Sequence, residues 1–111
     1  MIFVLFCLDK PHGGRDIRRR TRASHLEYLS AHQHLFKYGG PLLGADGETV
    51  GSLMMVEVAD RAALDQFLAT EPYCTSGLYE AMIIRRTRQI FPELSPGALA
   101  AELAEEKARL G

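Results

Sequence analysis

The sequence predicts one α+β domain whose elements follow the order β-α-β-β-α-β. Apolar runs of strand length occur at four places, and segments with helical spacing separate the first run from the second and the third from the fourth. The chain has 111 residues, the length of a single domain, and its 47% apolar and 24% charged content is typical of a soluble globular protein. The formal net charge of -1 gives no overall field that would attract nucleic acid or an anionic membrane.

The first strand and the first helix are predicted from a change in the hydrophobic pattern. Residues 2–8 are apolar at every position, which predicts a strand covered on both faces. A loop with a proline and two glycines follows, and the chain then permits a helix over residues 15–34. Leu26 and Leu29 are expected to face the sheet. The arginines of residues 15–22 are interpreted as a solvated helix face, with binding of phosphate or an acidic partner as the alternative.

The rest of the predicted core is a hairpin, a second helix and a fourth strand, at residues 38–43, 51–58, 61–69 and 80–88. Asp46 and Gly47 are a turn signal between the two hairpin strands. Asp60 is well placed to cap the second helix, because its side chain accepts hydrogen bonds from the first free backbone N–H groups.

A separate helix is predicted at the end of the chain. Ser95 is the expected N-cap and Pro96 the first helical residue, and leucines then recur at helical spacing. The sequence therefore divides into a domain at residues 1–94 and a helical extension at residues 95–111.

The predicted sheet has apolar residues on both of its faces. The segments 2–8, 53–58 and 81–84 all show this two-sided pattern, although two helices of this plan cover only one face. A second subunit is the simplest cover for the other face. The sequence therefore predicts a homodimer.

The two cysteines, Cys7 and Cys74, form no CxxC pair, so both are expected to be reduced thiols, with Cys7 buried as a small hydrophobe. The apolar run at the start of the chain lacks a basic flank and is interpreted as a strand, not a signal peptide. No run reaches the roughly 18 apolar residues of a membrane span. A cytoplasmic location is therefore expected.

The segment of residues 69–79 is the richest in reactive side chains. It joins a predicted helix to a predicted strand and carries a carboxylate, a proline, two phenols and a thiol. Loops between rigid elements commonly hold binding or catalytic residues. Pro72 fixes its own φ angle and favours extended geometry at Glu71, which would hold the carboxylate at the end of the helix. Tyr79 is interpreted as a packing residue.

His25 is the candidate proton carrier, since imidazole titrates near neutral pH and works best when a carboxylate orients it. It is predicted at the border of the first helix, and Glu71 is the best candidate for its partner. The alternative is a histidine bonded only to a backbone carbonyl. A metal site needs three or four convergent ligands, and His25, His32 and Glu71 are the only set worth testing for one. No metal is predicted.

The order and spacing of five short motifs resemble the YCII-related family over about residues 1–91. The motifs are Arg22 with His25-Leu26, Gly40-Pro41, Gly51-Ser52, Glu71-Pro72-Tyr73 and Gly77-Leu78. The resemblance implies a ferredoxin-like fold that dimerises sheet to sheet, as in the dimeric α+β barrel superfamily. It also implies an active-site pair of a histidine at His25 and an aspartate at the position of Glu71. This chain has the longer glutamate there, so the contact with His25 is expected to be longer, solvent-bridged or absent.

Where the activity of such proteins is assigned, the resemblance implies lyase-like chemistry, such as dehydrochlorination of hydroxylated aromatics, without a metal or organic cofactor. We therefore expect proton transfer on a small oxygenated cyclic or aromatic substrate. His25 would be the base and acid, and Glu71 would orient it. Three further residues would position the substrate: Arg22, Ser52 and Tyr73. A non-catalytic small-ligand binder that uses the same pocket is the alternative, and a cofactor-free oxygenase or isomerase rests on the fold alone.

Overall fold

The computed structural model describes all of residues 1–111 and contains four strands and four helices. The strands are β1 (Ile2–Asp9), β2 (Phe36–Leu43), β3 (Thr49–Glu57) and β4 (Tyr79–Thr87). The helices are α1 (Gly14–Ala31), α2 (Arg61–Ala69), the single-turn α3 (Pro72–Thr75) and α4 (Ala98–Leu110). None of these helices is both long enough and apolar enough to cross a membrane.

The four strands form one antiparallel sheet in the order β2-β3-β1-β4. Helices α1 and α2 cover one face of it, so the ferredoxin-like α+β fold predicted from the sequence is confirmed. Asp60 caps α2 as predicted, since its Oδ1 accepts a hydrogen bond from the Ala63 N–H at 2.9 Å. The segment between α2 and β4 differs from a plain loop, because it contains the short helix α3.

The hydrophobic core lies between the sheet and the helices. It consists of alternate residues of β1 and β3 together with one leucine of α2: Phe3, Leu5, Cys7, Met54, Val56 and Leu64. Strands β1 and β3 lie close together at Gly51, where a Cβ atom would lie 2.1 Å from the Cys7 carbonyl oxygen. Only glycine fits there, and this close approach places the next residue, Ser52, opposite Cys7 in the ladder.

The opposite face of the sheet has no helix over it. One cross-strand row there runs through Leu53, Phe6 and Ile83, on β3, β1 and β4. Phe6 and Ile83 are exposed, and Leu8 beside them is exposed as well. The two-sided apolar pattern of the strands is therefore present in the structure, and this helix-free face is the part of the sheet that a partner could cover.

Helix α4 begins later than the sequence predicts. Gly97, with φ of 87°, is the N-cap, and Ser95 makes no side-chain cap. The Glu93 carboxylate accepts hydrogen bonds from the Gly97 and Leu99 N–H groups instead. Ser95 is not needed as a cap, because the Glu93 carboxylate already accepts hydrogen bonds from free N–H groups at the start of the helix. No residue of α4 is buried, and an ion pair of 3.5 Å joins its Glu102 to Arg88 after β4.

Candidate active site

The face of α1 that packs on the sheet is partly polar. Arg18 and His25 are two turns apart and share this inward face, and His25 is only 8% exposed. The prediction that Leu26 faces the sheet is wrong, because Leu26 is 46% exposed. His25 is more deeply buried than a position at the border of the helix would imply. Leu29 is half-buried. The helix is rotated relative to the expectation because polar side chains, and not only leucines, find partners under it.

Glu71 is held in place by the helix that follows it. It is the N-cap of α3, and its carboxylate accepts hydrogen bonds from the Tyr73 N–H at 3.2 Å and the Cys74 N–H at 3.1 Å. Pro72 occupies the first helical turn, where its lack of an N–H group has no cost. Glu71 is fully buried, so it is one end of a fixed polar contact and not a surface carboxylate.

The structure brings Glu71 and His25 together. The Nδ1 atom of His25 lies 2.5 Å from Oε1 of Glu71, and the added methylene of glutamate does not separate the pair. Burial acts to raise the pKa of Glu71, but its hydrogen bond and charge interaction with His25, together with hydrogen bonds from the Tyr73 N–H and from Cys74, outweigh burial and lower the pKa. Because Nδ1 faces the carboxylate, Nε2 is the imidazole nitrogen left for a ligand.

Tyr73 forms the packing surface beside this pair. Its ring stacks on the His25 imidazole with centroids 3.7 Å apart and planes within 12°. The Arg18 guanidinium carbon lies 4.6 Å from the same ring. The Tyr73 hydroxyl is buried without a hydrogen-bond partner, so Tyr73 borders the site through its ring and not through its phenol group.

A second polar cluster, around Arg18, lies next to the first. Arg18 donates two hydrogen bonds to Asp9, at 2.8 and 2.9 Å, and a third to Ser52 Oγ at 2.9 Å. The Tyr79 hydroxyl also donates to Ser52 Oγ, at 2.9 Å. Burial raises the pKa of Tyr79 well above its ordinary value, so its hydroxyl keeps its proton and remains a donor.

Two sequence interpretations are corrected by this cluster. The basic segment is solvated at Arg15 and Arg19, but the Arg18 side chain is only 13% exposed. Tyr79 is more than a packing residue, since its hydroxyl holds Ser52. The signal that identifies Arg18 in the sequence is its distance of seven residues from His25, which places both on one helix face.

A cavity of about 230 Å³ lies above both clusters. Four of the predicted site residues border it, namely Arg22, His25, Ser52 and Tyr73, and Glu71 lies behind His25. Arg18, Leu26, Leu29, Met54 and the Gly39-Gly40-Pro41 segment complete its lining. A cavity of about 150 Å³ is enough for benzene, so this one has room for a single substituted ring.

The remaining histidines and cysteines lie outside this arrangement. His32 contacts the Tyr28 carbonyl oxygen through Nδ1 at 2.8 Å and does not join His25 and Glu71. No group of three or more His, Cys, Asp or Glu side chains converges as metal ligands would. Both cysteines are free, and burial, with Glu71 nearby, raises the pKa of Cys7 to about 12.

Fold and site together define a small ferredoxin-like α+β protein with a buried histidine–carboxylate pair beneath a cavity of single-ring size. The chain belongs to the YCII-related domain family, whose model matches residues 1–88. The family resemblance noted in the sequence is thereby confirmed. Helix α4 lies outside the matched region.

Two solved structures are similar to this chain. The first is 5-chloro-2-hydroxyhydroquinone dehydrochlorinase from Burkholderia phenoliruptrix, in complex with 2,5-dihydroxybenzoquinone. It is 29% identical, with a TM-score of 0.74 over 80% of this chain and 95% of the other. A NIPSNAP family protein from Agrobacterium tumefaciens shares the fold, with 13% identity and a TM-score of 0.52 over 85% of this chain and 97% of the other. No curated protein sequence matches the chain significantly.

Proposed function

We propose that the protein is an enzyme that transfers protons on a small oxygenated cyclic or aromatic substrate, with lyase-like chemistry. The observation that carries this proposal is the buried His25–Glu71 contact of 2.5 Å, which leaves Nε2 of His25 for the cavity. The similarity to a dehydrochlorinase with a ring compound bound supports the choice of substrate class. The cavity volume, about 230 Å³, agrees with one ring.

In this proposal His25 is the base and Glu71 its positioning residue. The carboxylate holds the Nδ1 proton and stabilises the imidazolium that forms when Nε2 takes a proton from the substrate. In a hydroxylated ring the bond that loses this proton is an O–H bond, whose electron pair becomes a C=O bond while the ring carbon that carries the leaving group takes up a proton. Removal of a second hydroxyl proton then forms a second C=O bond and shifts the ring π electrons. The leaving group, for example chloride, departs with its own bonding pair. The imidazolium then returns its proton to solvent, so atoms and charge balance.

The other residues around the cavity would position the substrate. Ser52 is fixed by hydrogen bonds with Arg18 and Tyr79, so its oxygen has a defined place in the wall. The Tyr73 ring is almost fully buried beneath the His25 imidazole and the Arg18 guanidinium, so it would hold these two groups in place at the cavity wall. Arg22 is exposed and borders the cavity, where it would attract an anionic substrate.

We also propose that the protein works as a homodimer that covers the helix-free face of the sheet. The cross-strand row of a half-buried Leu53 with the exposed Phe6 and Ile83 supports this assembly, since a contiguous apolar surface of this kind is uncommon on a monomer. Two copies of the same face form a self-complementary contact under two-fold symmetry. The cavity lies on the opposite face of the sheet, so each subunit would keep its own site.

The test is turnover of a chlorinated trihydroxybenzene, 5-chloro-2-hydroxyhydroquinone, with chloride release and quinone absorbance as separate readouts. His25→Ala should lower kcat by about 10²- to 10⁴-fold, the usual contribution of a general base. His32→Ala is the matched control, because this second histidine of the region is bonded to a backbone carbonyl outside the cavity. Equal turnover by His25→Ala and the unchanged protein would refute the mechanism. Binding without chloride release would favour the non-catalytic binder.

A further inference from the structure

The Arg18 guanidinium has hydrogen-bonding capacity that the protein leaves unused. Of its five N–H groups, the one on Nε and the two on Nη2 are donated to Asp9 and Ser52. The two N–H groups on Nη1 have no acceptor in the protein. The Tyr73 hydroxyl is the only buried side-chain polar atom without a hydrogen-bond partner, so Nη1 is not buried in this way. Since Arg18 borders the cavity, Nη1 is its accessible part.

We propose that the Nη1 group of Arg18 is a fixed oxyanion-binding site in the wall of this cavity, which takes the phenolate, enolate or carboxylate oxygen of a single-ring ligand. The proposal rests on the proposed function for the cavity as the ligand site. It adds a residue that the sequence interpretation left on the solvated surface. Arg18 would bind the same oxygen in an enzyme and in a non-catalytic binder.

The position of Arg18 is fixed before any ligand arrives. Asp9 holds the guanidinium by two parallel hydrogen bonds, the geometry that gives arginine–carboxylate pairs their directionality. Ser52 adds a third bond, and the Tyr73 ring packs against the guanidinium. A donor held in this way loses little conformational entropy when it binds, unlike an exposed arginine such as Arg15.

The charge distribution around the cavity favours an anion. The lining contains two arginines and one histidine, and no Asp or Glu side chain. The two carboxylates nearby face away from it, because Asp9 lies behind Arg18 and Glu71 lies behind His25. A ligand in the cavity therefore meets the cationic side of each pair. A charge-assisted hydrogen bond to Nη1 would be stronger than a neutral one.

Arg18 and His25 are close enough to serve the same ring. Both contact the Tyr73 ring, at 4.6 Å for the guanidinium carbon and 3.7 Å for the imidazole centroid. A substituted six-membered ring in the cavity could then present one oxygen to Nη1 and another atom to Nε2 of His25. In an elimination, the oxygen at Arg18 is the one on which negative charge develops as His25 removes a proton elsewhere on the ring.

The probe for this site is 4-nitrophenol, whose ionised form absorbs in the visible range and which is partly ionised near neutral pH. The unchanged protein should bind the phenolate form about tenfold or more tightly than the phenol form, because a nearby arginine favours the ionised form of an acid. Arg18→Met should abolish this preference. Arg15→Met is the matched control on the same helix and should retain it, since Arg15 is exposed and outside the cavity lining.

Two further variants keep the test decisive. The first combines Arg18→Met with Asp9→Asn, which removes both charges of the buried pair. Because no unpaired carboxylate is left behind, this double variant is expected to fold, and circular dichroism checks that it does. Binding of 4-nitroanisole, which cannot ionise, should be equal in this double variant and in the unchanged protein. A folded double variant that still prefers the phenolate would overturn the proposal. His25→Ala should retain the preference, so failure of the catalytic proposal would leave this result standing.

Discussion

The two faces of the sheet reverse the usual distribution of polar and apolar side chains. Under the helices, His25, Ser52 and Glu71 are buried, whereas on the helix-free face Phe6 and Ile83 are exposed. Each of these three buried residues has hydrogen-bond partners, which is the condition under which such groups tolerate burial. The apolar residues of the other face have no cover in one chain. This distribution agrees with the proposals of a ligand site on one face and an assembly surface on the other.

The two faces of the sheet also differ in the interactions that stabilise them. The covered face depends on specific pairs, so removal of one partner leaves another buried group without a hydrogen bond. The helix-free face depends on apolar area, so the effect of a substitution there scales with the surface that a second copy would cover. The predictions below separate these two dependences, from the largest expected effect to the smallest.

Glu71→Ala should have the largest effect on the covered face. It leaves the His25 imidazole and two backbone N–H groups without their acceptor, and all of them are at least partly enclosed. We expect the free energy of unfolding to fall by about 3–5 kcal/mol, as when one partner of a buried pair is removed. Urea denaturation followed by circular dichroism measures it. Glu71→Gln retains an acceptor oxygen and should lose less. A loss below about 1 kcal/mol for Glu71→Ala would show that the cluster does not stabilise the fold.

Phe6→Lys tests the helix-free face. Under two-fold symmetry each subunit contributes one Phe6, so the substitution removes two aromatic side chains and places two charges in the contact. We expect dimer dissociation to be favoured by at least about 100-fold, equivalent to roughly 2.7 kcal/mol, measured by sedimentation over a range of concentrations.

The control for this experiment carries the same new charge elsewhere. Gln66→Lys changes an exposed position of α2, on the other side of the sheet, and should leave the association unchanged. A Phe6→Lys protein that sediments as the unchanged dimer would place the contact on another surface. A monomeric unchanged protein would remove the assembly proposal altogether.

The covered face should also determine part of the stability in acid. The pKa of Glu71 is lowered in the folded chain, so its carboxylate contributes stability above its ordinary pKa of 4.5, and this contribution is lost as pH falls below that value. The unfolding free energy should therefore decline below about pH 4.5. Glu71→Gln cannot titrate there and should show a smaller decline in urea denaturation at successive pH values. Equal slopes in both proteins would contradict the assignment.

The sequence predicts the fold better than it predicts the contents of the site. Strand positions follow from short apolar runs, and these depend on local residue types. The direction that each side of α1 faces does not follow from local residue types. Arg18 and His25 face inward, whereas an amphipathic pattern places leucines such as Leu26 on the inward side. Their partners, Asp9 and Glu71, come from distant segments. Residue type and the family resemblance both pointed to His25 and Glu71, whereas the only sequence signal for Arg18 is its seven-residue spacing from His25 on the helix.

The C-terminal boundary was likewise predicted in outline. A helix after residue 94 follows from leucines at helical spacing, and it is present in the structure as α4. Its start was misplaced, since the side chain of Glu93 caps it from four and six residues away in place of Ser95. Sequence rules for N-caps consider the residue directly before the first turn, so they do not predict capping by a side chain several residues upstream.

Leu103→Ala in α4 should have the smallest effect of all. Leu103 is 55% exposed and α4 buries none of its residues, so little apolar surface is lost when the side chain is shortened. We expect a change in the unfolding free energy below about 0.5 kcal/mol, against about 3–5 kcal/mol for Leu64→Ala, which removes a fully buried side chain of the core. Urea denaturation of both variants at two protein concentrations measures the contrast. If Leu103→Ala instead lowered stability by more than about 1 kcal/mol, and did so only at the higher concentration, α4 would belong to the assembly surface and not to a separate extension.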